Sequence, residues 1–375
     1  MVVVPFLDLE RQFEPIRENI FNSVRQILDT CNFVNGPDVN AFESELAEWL
    51  GFGQVVGCSN ATSGLFAVQK ALGIGPGDEV ITTVHTAIPT SESITMTGAQ
   101  VVFSDIRRDT CNIDPQEVLR QITPRTRAIV AVHLYGQPAE LDNLASIAKT
   151  HGLYLIEDCA QALGAEYRGS KVGCIGDAAV FSFFPSKPLG GPGDGGAVVS
   201  TNPELFERVR MFCDHGRKSK YWHEFEGFNS RLDTIKAAML RQALPFLEQW
   251  NAARGKAAAY YQEHLKDIEE VELPAVLADT TPVWHVYAIR AVDRDALQIS
   301  LRENGVATGI HYPWALNLLP AYARLEKGPG SYPIAEYHCS HTLSLPMFPT
   351  ITEDQLAHVC ESVRGFYQNR KQLAV

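Results

Sequence analysis

The chain has 375 residues, with 44 acidic and 32 basic side chains and a formal net charge of −12. Its length allows roughly two domains, and its 45% hydrophobic content excludes wholesale disorder. The acidic balance argues against a nucleic-acid partner, because binding to a phosphate backbone needs clustered Lys and Arg side chains.

The sequence predicts no targeting signal, no membrane-spanning segment and no pairing of its cysteines. Residues 1–5 contain no basic side chain and no long apolar segment, so we predict no signal peptide. No apolar run approaches the ~20 residues that a bilayer crossing needs. The eight cysteines include no C-x-x-C pair, which predicts neither a disulfide framework nor a metal site. We therefore expect a soluble, cytoplasmic protein with no membrane partner.

The hydrophobic pattern changes along the chain. The first segments have helical periodicity, and short runs rich in Val and Ile then alternate with helical stretches. The runs cover residues 79–84, 100–103, 128–134, 153–157, 178–183 and 197–200. Such runs are typical of strands that are buried on both faces of a sheet. We predict an α/β fold in which helices sandwich a mostly parallel central sheet.

A long helical pattern follows over residues 233–264 and contains Pro245, which should kink the helix. Beyond it, we predict a strand over residues 286–291 and helices over residues 295–304 and 353–367. The helical bridge predicts a large α/β domain over residues 1–245 and a smaller α+β domain over residues 246–375.

Lys187 stands in the most informative stretch of the sequence. A predicted buried strand leads to this lysine, and a glycine-dense loop follows it. A lysine in an apolar setting has a lowered pKa, which is the condition for Schiff-base chemistry. The alternative is an ordinary surface-loop lysine.

Asp158 follows the predicted strand over residues 153–157. Ligands gather at the carboxyl ends of strands in open α/β sheets, although such an aspartate can also simply cap the next helix. A strand-end Asp and a strand-following Lys together match the needs of pyridoxal 5′-phosphate (PLP). This cofactor takes an amine for its Schiff base and an anion for its pyridinium nitrogen.

A phosphate site is predicted where residues 57–64 precede a helical run. Hydroxyl groups and free N–H groups at a helix N-terminus bind phosphate. The alternative is simple N-capping by Ser59 or Asn60. Ser182 could add a further hydroxyl, since it precedes Lys187 by five residues.

In these motifs and their order, the sequence resembles the sugar aminotransferase family, of the DegT/DnrJ/StrS type. Members are PLP-dependent enzymes of fold type I that aminate keto groups on nucleotide-linked sugars. The matching segments extend over nearly the whole chain and are residues 5–13, 75–81, 156–161, 182–187, 229–233 and 309–313.

The resemblance implies a role for each matching residue. Lys187 would be the Schiff-base lysine and Asp158 the partner of the pyridine nitrogen, and both would be catalytic. The other implied cofactor contacts are Gln161 beside the ring hydroxyl, Thr62, Ser63 and Ser182 at the phosphate, and Asn229 at the phosphate of the neighbouring subunit. A homodimer with shared active sites follows from this role of Asn229. The implied substrate contacts are Arg231, His311 and Tyr312.

One departure from the family pattern concerns the cofactor ring. Members commonly carry an aromatic residue that stacks on it, whereas Ala87 occupies this position here. His85 is the nearest candidate to cover the ring, and the alternative is a hydrogen-bonded core histidine without cofactor contact. The run from His85 to Ala87 resembles relatives that aminate C3 of the sugar.

Arg231 also has an alternative role, because it could form a structural salt bridge with Asp233 or another acid.

The resemblance implies a transaminase that moves an amino group from an amino acid, by resemblance L-glutamate, to a nucleotide-linked keto sugar. Three alternatives remain open. A PLP-dependent sugar dehydratase is opposed by Lys187, because such relatives carry His there. A non-catalytic PLP-fold protein could bind nucleotide sugars or regulate a partner. An NAD-dependent sugar epimerase is opposed by the missing dinucleotide fingerprint.

Overall fold

A seven-stranded sheet forms the centre of the computed structural model, which describes residues 2–373. Its strand order is 1-9-8-5-4-2-3, with strands numbered along the chain, and the ninth strand runs in the direction opposite to the other six. The strands of the chain are β1 (Gln54–Cys58), β2 (Glu79–Thr83), β3 (Gln100–Ser104), β4 (Thr126–Val132), β5 (Tyr154–Asp158), β6 (Glu166–Tyr167), β7 (Ser170–Lys171), β8 (Ala178–Ser182), β9 (Gly196–Ser200), β10 (Arg217–Ser219), β11 (Trp222–His223), β12 (Val271–Glu272), β13 (Thr280–Thr281), β14 (Tyr287–Ala291) and β15 (Thr342–Leu345). The predicted α/β class with a mostly parallel sheet is confirmed.

Helices cover both faces of this sheet. They are α1 (Leu9–Phe13), α2 (Arg17–Thr30), α3 (Pro37–Leu50), α4 (Ala61–Ala71), α5 (Pro89–Met96), α6 (Pro115–Gln121), α7 (Leu141–His151), α8 (Pro203–Cys213), α9 (Thr234–Ala243), α10 (Leu247–Leu265), α11 (Arg294–Glu303), α12 (Pro333–His341) and α13 (Glu353–Leu373). Val180 packs in the cluster that contains residues of α4, α5 and α8, whereas its neighbour Ala179 packs in the cluster of α3 and α9. Adjacent strand residues are thus buried on opposite faces, which explains the apolar runs without alternation.

Two elements differ from their prediction. Strand β1 was not predicted, because Gly57, a weak strand former, leaves Val55 and Val56 as its only consecutive apolar residues. That glycine allows a close approach, since a Cβ there would lie 2.9 Å from the Leu232 Cβ. The helix predicted over residues 233–264 is interrupted. A 3₁₀ turn over Leu244–Phe246 separates α9 from α10 because Pro245 has no backbone N–H to continue the helix.

The C-terminal part forms a smaller α+β unit around a three-stranded antiparallel sheet of β12, β14 and β15. Apolar residues of α10, α11 and α13 pack on this sheet, among them Tyr261, Leu297 and Val359. One short strand, β13, pairs instead with β6 of the preceding part of the chain. The boundary between residues 245 and 246 stays a prediction. Among the described helices, none combines the length and apolar content that a membrane crossing requires.

The sheet register places the two predicted catalytic residues at one edge of the sheet. Asp158 is the last residue of β5, where it pairs with Val132 of β4 and Val180 of β8. Strand β8 ends at Ser182, two residues after Val180, and the chain then enters the loop that carries Lys187. Both predicted catalytic residues therefore lie at the carboxyl edge of the parallel strands, where open α/β sheets bind ligands.

Candidate active site

A cavity of about 290 Å³ opens at this edge of the sheet. The predicted residues that line it are Thr62, Asp158, Gln161, Ser182 and Lys187. They come from the start of α4, from the end of β5 and the loop after it, and from the end of β8 and its following loop. The fold thus assembles in one cavity the residues that the sequence places up to 125 positions apart.

Lys187 is half-buried at the wall of this cavity. Its backbone N–H donates to the Phe184 carbonyl over 2.9 Å, which closes a turn directly after β8. Burial lowers the pKa of Lys187 to about 8, although the Asp158 carboxylate acts in the opposite direction. The side chain therefore carries an amine that is readily available as a neutral nucleophile.

Asp158 is buried, and each of its carboxylate oxygens accepts a hydrogen bond. Oδ2 accepts from the Thr90 hydroxyl over 2.7 Å, and Oδ1 accepts from the Ala160 N–H over 3.1 Å. Burial raises the pKa of Asp158, whereas the bonds from Thr90 and Ala160 and the charge of Lys187 oppose this rise. The carboxylate is thereby held in one orientation at the cavity wall.

The start of α4 is the part of the cavity where the sequence predicts phosphate binding. The Asn60 side chain caps the helix by accepting the Ser63 N–H over 2.8 Å. The N–H groups of Ala61 and Thr62 have no partner within the helix, and both residues line the cavity. Gly196 on β9 lies close behind, since a Cβ there would be only 2.7 Å from the Ala61 nitrogen. The capped helix start thus leaves N–H groups at the cavity that are free to bind an anion. The phosphate site itself stays a prediction.

The Ser63 side chain does not line this cavity. Its hydroxyl lies 3.1 Å from that of Ser59 and accepts a bond of 2.7 Å from Ser230. These contacts hold α4 against the segment that leads to α9. Its predicted role at the phosphate stays a prediction.

The residues of the cavity fit PLP in three respects. Lys187 offers the amine, Asp158 offers a buried anion, and the first turn of α4 offers free N–H groups beside the Thr62 and Ser182 side chains. An amine, an anion and an anion-binding helix start are the donor set that the three functional ends of this cofactor need.

Gln161 connects the cavity with the C-terminal part of the chain. Its Oε1 accepts the Tyr135 N–H over 2.7 Å, and its Nε2 donates to the Tyr312 hydroxyl over 3.1 Å. His311 lies next to Tyr312, and its Nδ1 is 2.9 Å from the Ser344 hydroxyl. Burial, together with the charge of Lys187, lowers the pKa of His311 to about 4. Neither His311 nor Tyr312 lines the cavity, but Tyr312 contacts Gln161, which does. Their role as substrate contacts stays a prediction.

The structure does not bring the His85 ring to the cavity. This side chain is fully buried, and its Nε2 lies 2.8 Å from the Tyr135 hydroxyl. The cavity wall at this place consists of Thr86 and Ala87 instead. The position does not support stacking on the cofactor ring, and it agrees with the alternative of a hydrogen-bonded core histidine.

Asn229 and Arg231 lie away from the cavity of their own chain. Asn229 is exposed, on a segment that bridges to Asp214. Arg231 forms an ion pair with Asp214 over 2.5 Å, in the part-buried region between α3 and α8. The alternative role of Arg231 is a structural salt bridge with Asp233 or another acid, and the ion pair with Asp214 is a contact of that kind.

A buried polar cluster that the sequence did not reveal supports the end of β5. Glu157 accepts backbone N–H bonds from Gly173, Ile175 and Gly176 at 2.7–2.9 Å, and its Oε2 lies 3.0 Å from the His133 Nε2. Burial raises the pKa of Glu157, but His133 and these N–H groups outweigh that effect and lower it overall. The cluster fixes the residue next to Asp158. Only the adjacency of Glu157 to Asp158 could have signalled it in the sequence.

Comparisons with known proteins show which family this chain belongs to. The model of the DegT/DnrJ/EryC1/StrS aminotransferase family matches residues 14–364. The chain is 42% identical over 368 residues to a pleiotropic regulatory protein of Geobacillus stearothermophilus, covering 98% of this chain and 99% of that protein. It is 43% identical over 361 residues to a Streptomyces venezuelae enzyme, the dTDP-3-amino-3,4,6-trideoxy-alpha-D-glucose transaminase, covering 96% of this chain and 95% of the enzyme.

Among solved structures, DesV of S. venezuelae in complex with a ketimine intermediate is similar with a TM-score of 0.95 and 42% identity. The match covers 98% of this chain and 99% of DesV. Enzymes of the matched family use PLP, and the cavity of this chain carries the residues that fit it. The chain belongs to the DegT/DnrJ/EryC1/StrS aminotransferase family and is a PLP-dependent sugar aminotransferase.

Proposed function

We propose that the protein moves an amino group from an amino acid, L-glutamate, to C3 of a nucleotide-linked 3-keto sugar. The observation that carries the proposal is the meeting of Lys187 and Asp158 in one cavity with the free N–H groups of α4. The likeness to a transaminase named for a 3-amino sugar supports the choice of substrate and carbon.

Bound PLP supplies an aldehyde that carries the amino group and a ring that accepts electrons. Lys187 would hold the cofactor between turnovers through Nζ. Once the donor has displaced it, the Lys187 Nζ would take the proton from the donor α-carbon and deliver it in the next step. A pKa of about 8 suits both roles near neutral pH.

Asp158 would keep the pyridine nitrogen protonated. The Thr90 hydroxyl and the Ala160 N–H orient its carboxylate. Thr62, Ser63, Ser182 and the first turn of α4 would hold the phosphate, and Gln161 would lie beside the ring hydroxyl. His311 and Tyr312 would contact the substrates, whereas the ion pair of Arg231 with Asp214 favours a structural role for Arg231.

The experiment is an amino-transfer assay with PLP, L-glutamate and a panel of 3-keto and 4-keto nucleotide sugars. We expect 2-oxoglutarate and a 3-amino sugar to form together, and Lys187→Ala to form neither. Absence of transfer to every sugar in the panel would contradict the function, and amination at C4 alone would contradict the choice of carbon.

The name of the Geobacillus relative marks a second candidate, a regulatory protein on the same fold. The presence of both Lys187 and Asp158 at the cavity favours catalysis, because a protein that only binds nucleotide sugars needs neither side chain. A protein that binds PLP but leaves glutamate unchanged would favour regulation.

We further propose a homodimer in which Asn229 reaches the cofactor phosphate of the partner subunit. Its exposure, away from its own cavity, supports this role. Mixing Lys187→Ala chains with Asn229→Ala chains tests it. A mixed dimer then contains one site with both residues intact, so activity should return. If Asn229 served its own chain, no mixed dimer would hold an intact site and activity would stay low.

We propose a cytoplasmic location, because the expected substrates are nucleotide-linked intermediates of biosynthesis. Fractionation of the producing cells tests this: the protein should accompany cytoplasmic markers, and recovery with the membrane or secreted fraction would contradict it.

A further inference from the structure

The Tyr135 hydroxyl has three polar neighbours in a buried cluster. It donates to the carbonyl of His311, and it lies 2.8 Å from the His85 Nε2 and 3.1 Å from the His338 Nε2. A phenol has one proton to give, and a carbonyl can only accept. Both imidazoles must therefore donate to Tyr135, each through an Nε2–H group.

This assignment fixes the opposite nitrogens as acceptors. The His85 Nδ1 lies 3.3 Å from the Cys339 thiol, and the His338 Nδ1 lies 3.3 Å from the Cys111 thiol. The Arg290 Nη1 also lies 3.4 Å from both the Cys111 sulfur and the His338 Nδ1, and it can only donate. Both thiols can donate as well, so every hydrogen bond in the cluster has a donor and an acceptor. Burial also lowers the pKa of His85 to about 3, in keeping with a neutral ring that has one proton on Nε2.

Tyr135 links this cluster to the predicted substrate side. Its side chain binds the carbonyl of His311, while its backbone N–H binds the Gln161 side chain over 2.7 Å. Gln161 in turn binds the Tyr312 hydroxyl over 3.1 Å. Tyr135, Gln161 and the segment of His311 and Tyr312 therefore form a closed ring of contacts that spans the two parts of the chain.

We propose that His85 is a positioning residue. Its Nε2–H bond fixes the Tyr135 hydroxyl so that the segment of His311 and Tyr312 is held beside Gln161. This inference rests on the proposed function, in which His311 and Tyr312 contact the sugar substrate. It assigns His85 to substrate positioning through a hydrogen bond and not to stacking on the cofactor ring.

Two substitutions of His85 separate these roles. His85→Gln keeps an amide N–H near the position of Nε2 but has no ring, whereas His85→Phe keeps a ring but has no donor. We expect His85→Phe to raise the KM for the keto sugar about tenfold, as for one lost buried hydrogen bond, and His85→Gln to restore most of it. Cofactor dissociation should stay within about twofold of wild type in both variants, because neither changes a residue at the cavity wall.

The stacking role predicts the reverse order: Phe would retain the cofactor, and Gln would release it. That order, or equal KM values in the two variants, would overturn the proposal. Thermal melting of each holoenzyme variant tests for simple core damage. Equal losses of melting temperature together with unequal KM values would support positioning, and KM changes that only follow the melting temperature would overturn it.

A double-mutant cycle with Tyr135→Phe provides the matched control. Tyr135→Phe removes the hydroxyl through which His85 acts, so adding His85→Phe should raise KM little further. Independent, multiplying effects would refute the coupling.

A readout without catalysis separates this inference from the proposed function. In ¹⁵N-histidine spectra of the holoenzyme, we expect the His85 ring to be protonated on Nε2, with a slowly exchanging proton that Tyr135→Phe makes exchange faster. Protonation on Nδ1 would overturn the inference even if the enzyme transfers amino groups normally. A protein with the expected spectrum but no activity would instead contradict the proposed function.

Discussion

The Thr90 hydroxyl donates a hydrogen bond of 2.7 Å to the Asp158 carboxylate, although 68 residues separate the two along the chain. Thr90 lies in the first turn of α5, and Asp158 ends β5. Together with the Ala160 N–H, this bond holds a buried negative charge in place. A charge oriented in advance needs no reorganisation when the reaction begins, which is the basis of electrostatic preorganisation.

Thr90→Val should therefore impair catalysis while preserving the fold. Hydrogen bonds to charged groups contribute about 1.5–3 kcal/mol, so we expect a loss of roughly tenfold or more in kcat. Because the bond opposes the upward pKa shift of Asp158, its removal should also move the acid limb of the pH profile to higher pH. Thr95→Val on the same helix is the control, since the Thr95 hydroxyl donates to the Glu92 carbonyl of its own helix and not to Asp158. Equal effects of both variants would refute the assignment.

The lowered pKa of Lys187 can be measured without cofactor or substrate. Reductive methylation acts on neutral amines, so labelling of Lys187 followed by mass spectrometry should rise with pH around a midpoint near 8. The Asp158 carboxylate favours the charged ammonium. Asp158→Asn should therefore move the midpoint to lower pH. An unchanged midpoint in the variant, or a wild-type midpoint above 10, the range of an ordinary lysine, would contradict the electrostatic assignment.

The fold was largely predictable because each central strand is buried on both faces. That burial leaves apolar runs in the sequence, such as residues 153–157 directly before Asp158. The predicted runs matched β2, β3, β4, β5, β8 and β9. Strand β1 contains Gly57, which leaves Val55 and Val56 as its only consecutive apolar residues, so its apolar run was too short to recognise. The interruption at Pro245 was expected as a kink, but nothing in the pattern distinguishes a kink from a complete 3₁₀ turn.

The site was predictable only where a residue type signals its chemistry. Asp158 ends one strand and Lys187 follows another, and the sheet register brings both residues to one cavity. Thr90 and Tyr135 carry no such signal, because their partners are distant in sequence and meet them only in the folded chain. His85 was predicted at the cofactor because of its nearness to Ala87, but its ring points into the protein interior.

Gly196→Ala should weaken cofactor binding through the start of α4. The new Cβ would lie 2.7 Å from the Ala61 nitrogen and would displace the first helical turn from its position. Such overpacking costs about 1–3 kcal/mol, so we expect the dissociation constant of PLP to rise at least ~5-fold. Gly255→Ala is the matched control, because a Cβ there meets nothing within 4 Å. Spectroscopic titration with PLP measures both variants, and equal affinities would show that the close approach does not matter.

Glu157→Gln should destabilise the protein by about 3 kcal/mol, because it removes a buried charge that His133 and three backbone N–H groups stabilise. The folded-state pKa of Glu157 lies below its ordinary value of 4.5, so its charge stabilises the fold fully above that pH. The difference in unfolding free energy between wild type and variant should therefore be constant near neutral pH and should shrink as the pH falls below about 4.5. Urea denaturation over a pH series measures it, with the exposed Glu303→Gln as the control. A difference that grows on acidification would show that Glu157 is protonated in the native protein.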